Sequence, residues 1–61
     1  MEFRIYRVES GSRREIAVAT GTEKDAIKYA RQLGGAHDLE VWQGDRFVSL
    51  VRPGQPSLWR R

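Results

Sequence analysis

Hydrophobic residues recur at every second position near both ends of this chain's body and at every third or fourth position in its middle. The clearest alternation is in residues 38–52, DLEVWQGDRFVSLVR, where two apolar runs flank Gly44-Asp45. A two-residue connector with glycine first favours a tight primed-type hairpin turn. Its register then sets Gln43 opposite Arg46, Trp42 opposite Phe47, Val41 opposite Val48 and Leu39 opposite Leu50. Strict alternation sorts the hairpin into an aliphatic face (Leu39, Val41, Val48, Leu50) and a second face holding Glu40, Trp42, Phe47, Ser49 and Val51.

Residues 3–8, FRIYRV, are β-branched and aromatic enough for a first strand, with Phe3 and Ile5 inward and Arg4, Tyr6 and Val8 outward. Residues 9–14, ESGSRR, read as a polar hairpin loop, and residues 15–20, EIAVAT, as a second strand. By size, Ile16 and Val18 are expected toward the core, leaving Ala17 and Ala19 on the other side.

Between the hairpins, residues 20–35, TGTEKDAIKYARQLGG, change to a helical period. Thr22 is a good N-cap, Glu23 and Asp25 put negative charge in the first turn, and Gly34-Gly35 suits a C-cap. Ala26, Ile27, Ala30 and Leu33 form one stripe with Tyr29 at its edge; Lys24, Lys28, Arg31 and Gln32 point away. The expectation is an α+β fold of order ββαββ, a four-stranded, mainly antiparallel sheet with one helix on one face. Residues 1–52 make the domain. Residues 53–61, PGQPSLWRR, have no periodicity and read as a flexible tail.

A helix roughly 10 Å across covers only one side of four strands spread over about 14 Å. Tyr6, Ala17, Ala19, Trp42, Phe47 and Val51 are therefore expected on an open face, a larger apolar patch than soluble monomers usually leave.

The run TEKDAIKYARQL followed by LEVWQGDRFVSLV resembles a group of short uncharacterised bacterial proteins. Their pattern is an acidic first helix turn with an Ala-Ile or Ala-Ala pair, then a hairpin of the type L-E-[LV]-W-Q-G-D-R-[LF]-V. The likeness covers residues 3–51 and is most specific over residues 39–48. It implies the same ββαββ fold and brings no activity with it.

Sixty-one residues without cysteine exclude a disulfide framework, a thiol nucleophile and a thiolate metal site. With no signal-like or membrane-length apolar run, the expected location is the cytoplasm. The net charge of +3 suggests nucleic acid, but residues 1–51 hold eight Lys or Arg against eight Asp or Glu. The excess lies in Arg52, Arg60 and Arg61, whereas duplex binders carry a basic face on the folded body.

Catalytic constellations are thin. His37, the single histidine, has Ser49 and Asp45 as conceivable partners, and Glu40 with Asp45 could form a carboxylate pair. A loop position explains His37, the turn explains Asp45, and a cross-sheet arginine explains Glu40. No catalytic, metal or cofactor residue is assigned, and the chain is read as a binding module rather than an enzyme.

The expected contact is a homodimer or another protein on the open face, anchored by Tyr6, Trp42, Phe47 and Val51, since Trp, Tyr and Arg dominate interface hot spots. The alternative is single-stranded nucleic acid stacking on the same rings, with Arg4 and the C-terminal arginines meeting phosphate. Gly11-Ser12-Arg13-Arg14 could add an anion nest, with Arg4, Arg13 and Arg14 as its cations. Leu58 and Trp59, beyond a Pro-Gly-Gln-Pro spacer, could fold over Trp42 and Phe47 or dock on a second chain.

Overall fold

A computed structural model describes residues 1–53. The expected order is present: β1 (Glu2–Glu9), β2 (Ser12–Thr20), α1 (Glu23–Leu33), β3 (Asp38–Gln43) and β4 (Arg46–Val51). The strands form one antiparallel sheet of order β2-β1-β3-β4 with the helix against one side. Hairpin β1–β2 turns on Ser10-Gly11 alone, so residues 9–14, expected as a hairpin loop, are mostly strand. Among the described residues no helix is long and apolar enough to cross a membrane.

Local chemistry sets the helix limits. Thr22 and Asp25 form a capping box: the Asp25 N–H donates to Thr22 Oγ1 and the Thr22 N–H to Asp25 Oδ2, each at 3.1 Å. Two otherwise orphan backbone donors are thereby satisfied. The backbone N–H of Thr22, and then its side chain, favour the ionised carboxyl and hold Asp25 below its ordinary pKa of 3.8. Just upstream, Gly21 has φ +112°, and a Cβ there would lie 2.8 Å from Asp25 Oδ2.

The buried core is Phe3, Ile5, Ala19, Ala26, Ala30, Leu39 and Val41, with Ala17, Val48 and Val51 packed against it. Alanines from helix and β2 meet, so the helix sits close, while Phe3, Ile5, Leu39 and Val41 supply the volume from the central strands. Leu33, expected in the buried stripe, is exposed in the last turn, as is Tyr29 at the stripe's edge. Arg46 ties β4 to the helix start by donating to Glu23 Oε1 at 3.2 Å.

Two expectations about strand phase are corrected. On β2 the alanines, not Ile16 and Val18, face the helix: Phe3 pairs with Ala19 and Ile5 with Ala17. Paired residues share a face, so β1's inward Phe3 and Ile5 dictate the phase of β2. Ala19 is 8% exposed and Val18 43%. On β4 the first two pairs stand as expected, Gln43 with Arg46 and Trp42 with Phe47, but Val41 then pairs with Ser49 instead of Val48. Val48 is the extra residue of a β-bulge. Beyond it Leu39 meets Val51 and Glu40 meets Leu50, so inward and outward positions are exchanged. Ile16 is the corresponding extra residue on β2.

Candidate functional site

The sheet side opposite the helix is built on the alternation of β1 and β3. Val41 and Ile5 are fully buried under the helix, which puts their neighbours Trp42, Glu40, Arg4 and Tyr6 on the far side. Pairing aligns Arg4 with Trp42 and Tyr6 with Glu40. Trp42 and Phe47 meet edge to face, with ring centroids 5.5 Å apart and planes at 75°, the arrangement favoured by the ring quadrupoles. Phe47 is 47% exposed.

Val51, assigned to this face from the sequence, lies on the helix side and packs against the core. The bulge at Val48 puts Leu50 in its place, opposite Glu40 and 39% exposed. Ala17 and Ala19 likewise leave the open face, and Val18, paired with Arg4, takes their place. The patch remains apolar with a changed membership: Tyr6, Val18, Trp42, Phe47 and Leu50. Sequence reasoning missed Leu50 and Val18, because a bulge and a strand's phase leave no mark on composition.

Electrostatics on this face are largely internal. Arg13 extends from β2 past β1 to place its guanidinium carbon 5.4 Å from the Trp42 ring centroid, a cation–π contact. It also donates to Glu40 Oε1 at 3.3 Å, and the Trp42 Nε1–H donates to the same oxygen at 2.9 Å. Glu40 thus fixes both the indole and the guanidinium above it. Arg4 donates to Glu15 Oε1 at 3.1 Å and lies 3.9 Å from Glu2. The hydrogen bond to Glu15, then the charges of Glu15 and Glu2, raise the Arg4 pKa above its ordinary value.

The expected anion nest is not formed. β2 begins at Ser12, so its backbone is already extended, and alternation sends Arg13 and Arg14 to opposite faces. Arg14 pairs with Arg7, away from Arg4 and Arg13.

Tyr6, Arg13, Trp42, Gly44 and Asp45 line an open recess of about 330 Å³ beside the β3–β4 turn. Gly44 there has φ +60° and Asp45 does not have positive φ, the signature of a type II′ turn within the primed class expected from Gly-Asp. Five carboxylates face this side or its rim: Glu2, Glu15, Glu40, Asp45 and, by alternation, Asp38. Arg4 and Arg13 are the guanidinium groups on its strands, and Arg52 follows β4 beside Asp38, so carboxylates predominate by five to three.

The catalytic combinations do not assemble. His37 is exposed before β3, and Asp45 follows the other end of that strand, roughly 20 Å away at strand rise. Ser49 is half-buried on the helix side beside Val41. Glu40 is engaged by Arg13 and Trp42. Among the described residues no three His, Cys, Asp or Glu side chains gather as a metal site requires. Leu58 and Trp59 lie outside the described residues. No protein-family description, curated protein or solved structure matches the chain.

Proposed function

We propose that this chain is a small cytoplasmic binding module that associates with a second copy of itself through the open sheet face. The observation carrying the proposal is the apolar set of exposed Phe47, Leu50 and Val18 with half-buried Trp42 and Tyr6 on the side the helix does not reach. Clusters of this kind, rich in aromatic anchors, mark interaction surfaces.

Two features select the mode of contact. Both outer strands carry a bulge, β2 at Ile16 and β4 at Val48, a device that turns a sheet edge away from further pairing. A partner therefore comes onto the face rather than extending the sheet. Arg4 and Arg13 are engaged by carboxylates, so the strands offer phosphate little free positive charge, and the energy comes from apolar burial. Four strands of six residues present roughly 400 Å² in outline. Two such faces total about 800 Å² in outline, below standard-size specific interfaces, which points to a weak, transient dimer.

Sedimentation equilibrium of the full chain at low and high salt, with and without a short single-stranded oligonucleotide, tests this. The expected result is a dimer that persists at high salt and is abolished by Phe47→Glu, which changes an exposed side chain. A chain that stays monomeric up to millimolar concentration overturns the reading. Oligonucleotide binding that weakens steeply with salt would instead assign the face to nucleic acid.

A further inference from the structure

Along the open side of the β3–β4 hairpin an acid, two apolar groups and a base follow one another: Asp45, Phe47, Leu50 and Arg52. Asp45 edges the recess beside Trp42 and Tyr6, and Phe47 and Leu50 stand exposed opposite Trp42 and Glu40. Arg52 is the next outward position after Leu50 by alternation. The bulge at Val48 makes the row symmetric in spacing, with a charge about 7 Å outside the apolar pair at either end. Reversed end for end, the row complements itself: base over acid, leucine over phenylalanine. Among the described residues neither Asp45 nor Arg52 enters an ion pair. They are seven positions apart, roughly 20 Å in extended chain, beyond the reach of an arginine within one copy.

We infer that two copies meet face to face about a two-fold axis running across the strands, and that Arg52 of each copy enters the recess of the other. The inference rests on the self-association proposed above and gives it an orientation and a specific pair. A two-fold interface makes each contact twice. With the axis between the Phe47 and Leu50 positions, Phe47 of each copy lies on Leu50 of the other and each Arg52 reaches an Asp45. Sheets packed face to face keep their strands within about 30° of alignment, so the two rows stay in line. An axis along the strands would stack the same ends of both sheets and leave Asp45 and Arg52 far apart. The recess suits a guanidinium. Asp45 sits there with the Trp42 and Tyr6 rings, and Trp42 already holds the Arg13 guanidinium between its ring and Glu40 Oε1. A planar guanidinium stacks on an aromatic face while donating to a carboxylate, a combination an ammonium group does not match. At about 330 Å³ the recess is at the small end of ligand sites, with room for one side chain.

The test is a charge exchange, read by sedimentation equilibrium of full chains at low salt. Asp45→Arg and Arg52→Asp each place like charges at both copies of the contact. Two exposed pairs are lost and two repulsions gained, so each variant should dimerise at least about tenfold more weakly than the parent. In an equimolar mixture of the two variants, the mixed dimer has one natural pair and one reversed pair. Its affinity should return to within about threefold of the parent's. Because recovery needs both chains folded, it also shows that neither variant has lost its fold. Variants that dimerise as tightly as the parent overturn the inference and leave self-association through the face standing. Weakening without recovery on mixing overturns it as well, since the two charges then do not meet. A parent chain that stays monomeric to millimolar concentration overturns self-association, and the inference with it.

Discussion

Replacing Leu50 and Val51 one at a time by lysine tests the bulge at Val48 directly. Without the bulge, alternation from Phe47 places Leu50 under the helix and Val51 outside; with it, the two are exchanged. In the structure Val51 pairs with Leu39 and packs against the core, whereas Leu50 is exposed opposite Glu40. Val51→Lys removes most of the roughly 1.5 kcal/mol that burying a valine side chain contributes. It also brings an ammonium group to an apolar site, although a half-buried lysine can reach water along its own stem. We expect a total loss of about 2 kcal/mol. Leu50→Lys gives up little burial and gains a facing carboxylate, so its effect on the monomer should stay within about 0.5 kcal/mol.

A domain of 61 residues is expected to have a stability of roughly 3–9 kcal/mol. Urea unfolding followed by circular dichroism resolves the difference, since 2 kcal/mol at a slope of about 1 kcal/mol/M moves the midpoint by roughly 2 M. Working below the dissociation constant of the proposed dimer keeps association out of the comparison. If Leu50→Lys destabilises as much as Val51→Lys, the bulged register is refuted, and with it the composition of the open face.

Gly21→Ala should destabilise by roughly 1–2 kcal/mol, because φ +112° strains any side chain and the new Cβ meets Asp25 Oδ2 at 2.8 Å; a neutral result in thermal unfolding contradicts this. For Asp25, whose carboxyl is held below its ordinary 3.8, the folded pKa lies under the unfolded one. Its stabilisation is therefore present above the unfolded value and lost as pH falls through the folded one. Urea midpoints of the parent and Asp25→Asn, followed from about pH 6 to about pH 2, should converge with acid, and a constant gap would count against the capping-box carboxylate as the cause.

What could be read in the sequence was chemistry that acts locally. Thr22 and Asp25 cap whatever helix follows them, and Gly44-Asp45 closes a tight turn, so the helix start, the second hairpin and the Trp42–Phe47 pair were legible. The phase of EIAVAT was not, since Ile and Val alternate with Ala and size alone cannot say which set faces inward. The partner strand settled it: Phe3 and Ile5 fill the core, and small residues opposite them let the helix approach. VSLV was equally undecided, because an inserted residue reverses its faces without altering any residue type. Strand order had no signal at all, and with it went the reach of Arg13 to Trp42 and Glu40, which depends on β1 lying between β2 and β3.

That central seam also divides the chain kinetically. Each hairpin closes on its own two-residue turn, so its contacts are local and inexpensive to assemble. The ladder between β1 and β3 instead joins segments whose nearest pair, Val8 and Asp38, is about 30 positions apart, an entropic demand on the order of 3 kcal/mol before any ladder bond returns it. Assembly of the two halves, rather than formation of either, is where the folding barrier falls. Weakening Ile5 or Val41 should slow refolding, whereas loosening the outer strands should chiefly hasten unfolding.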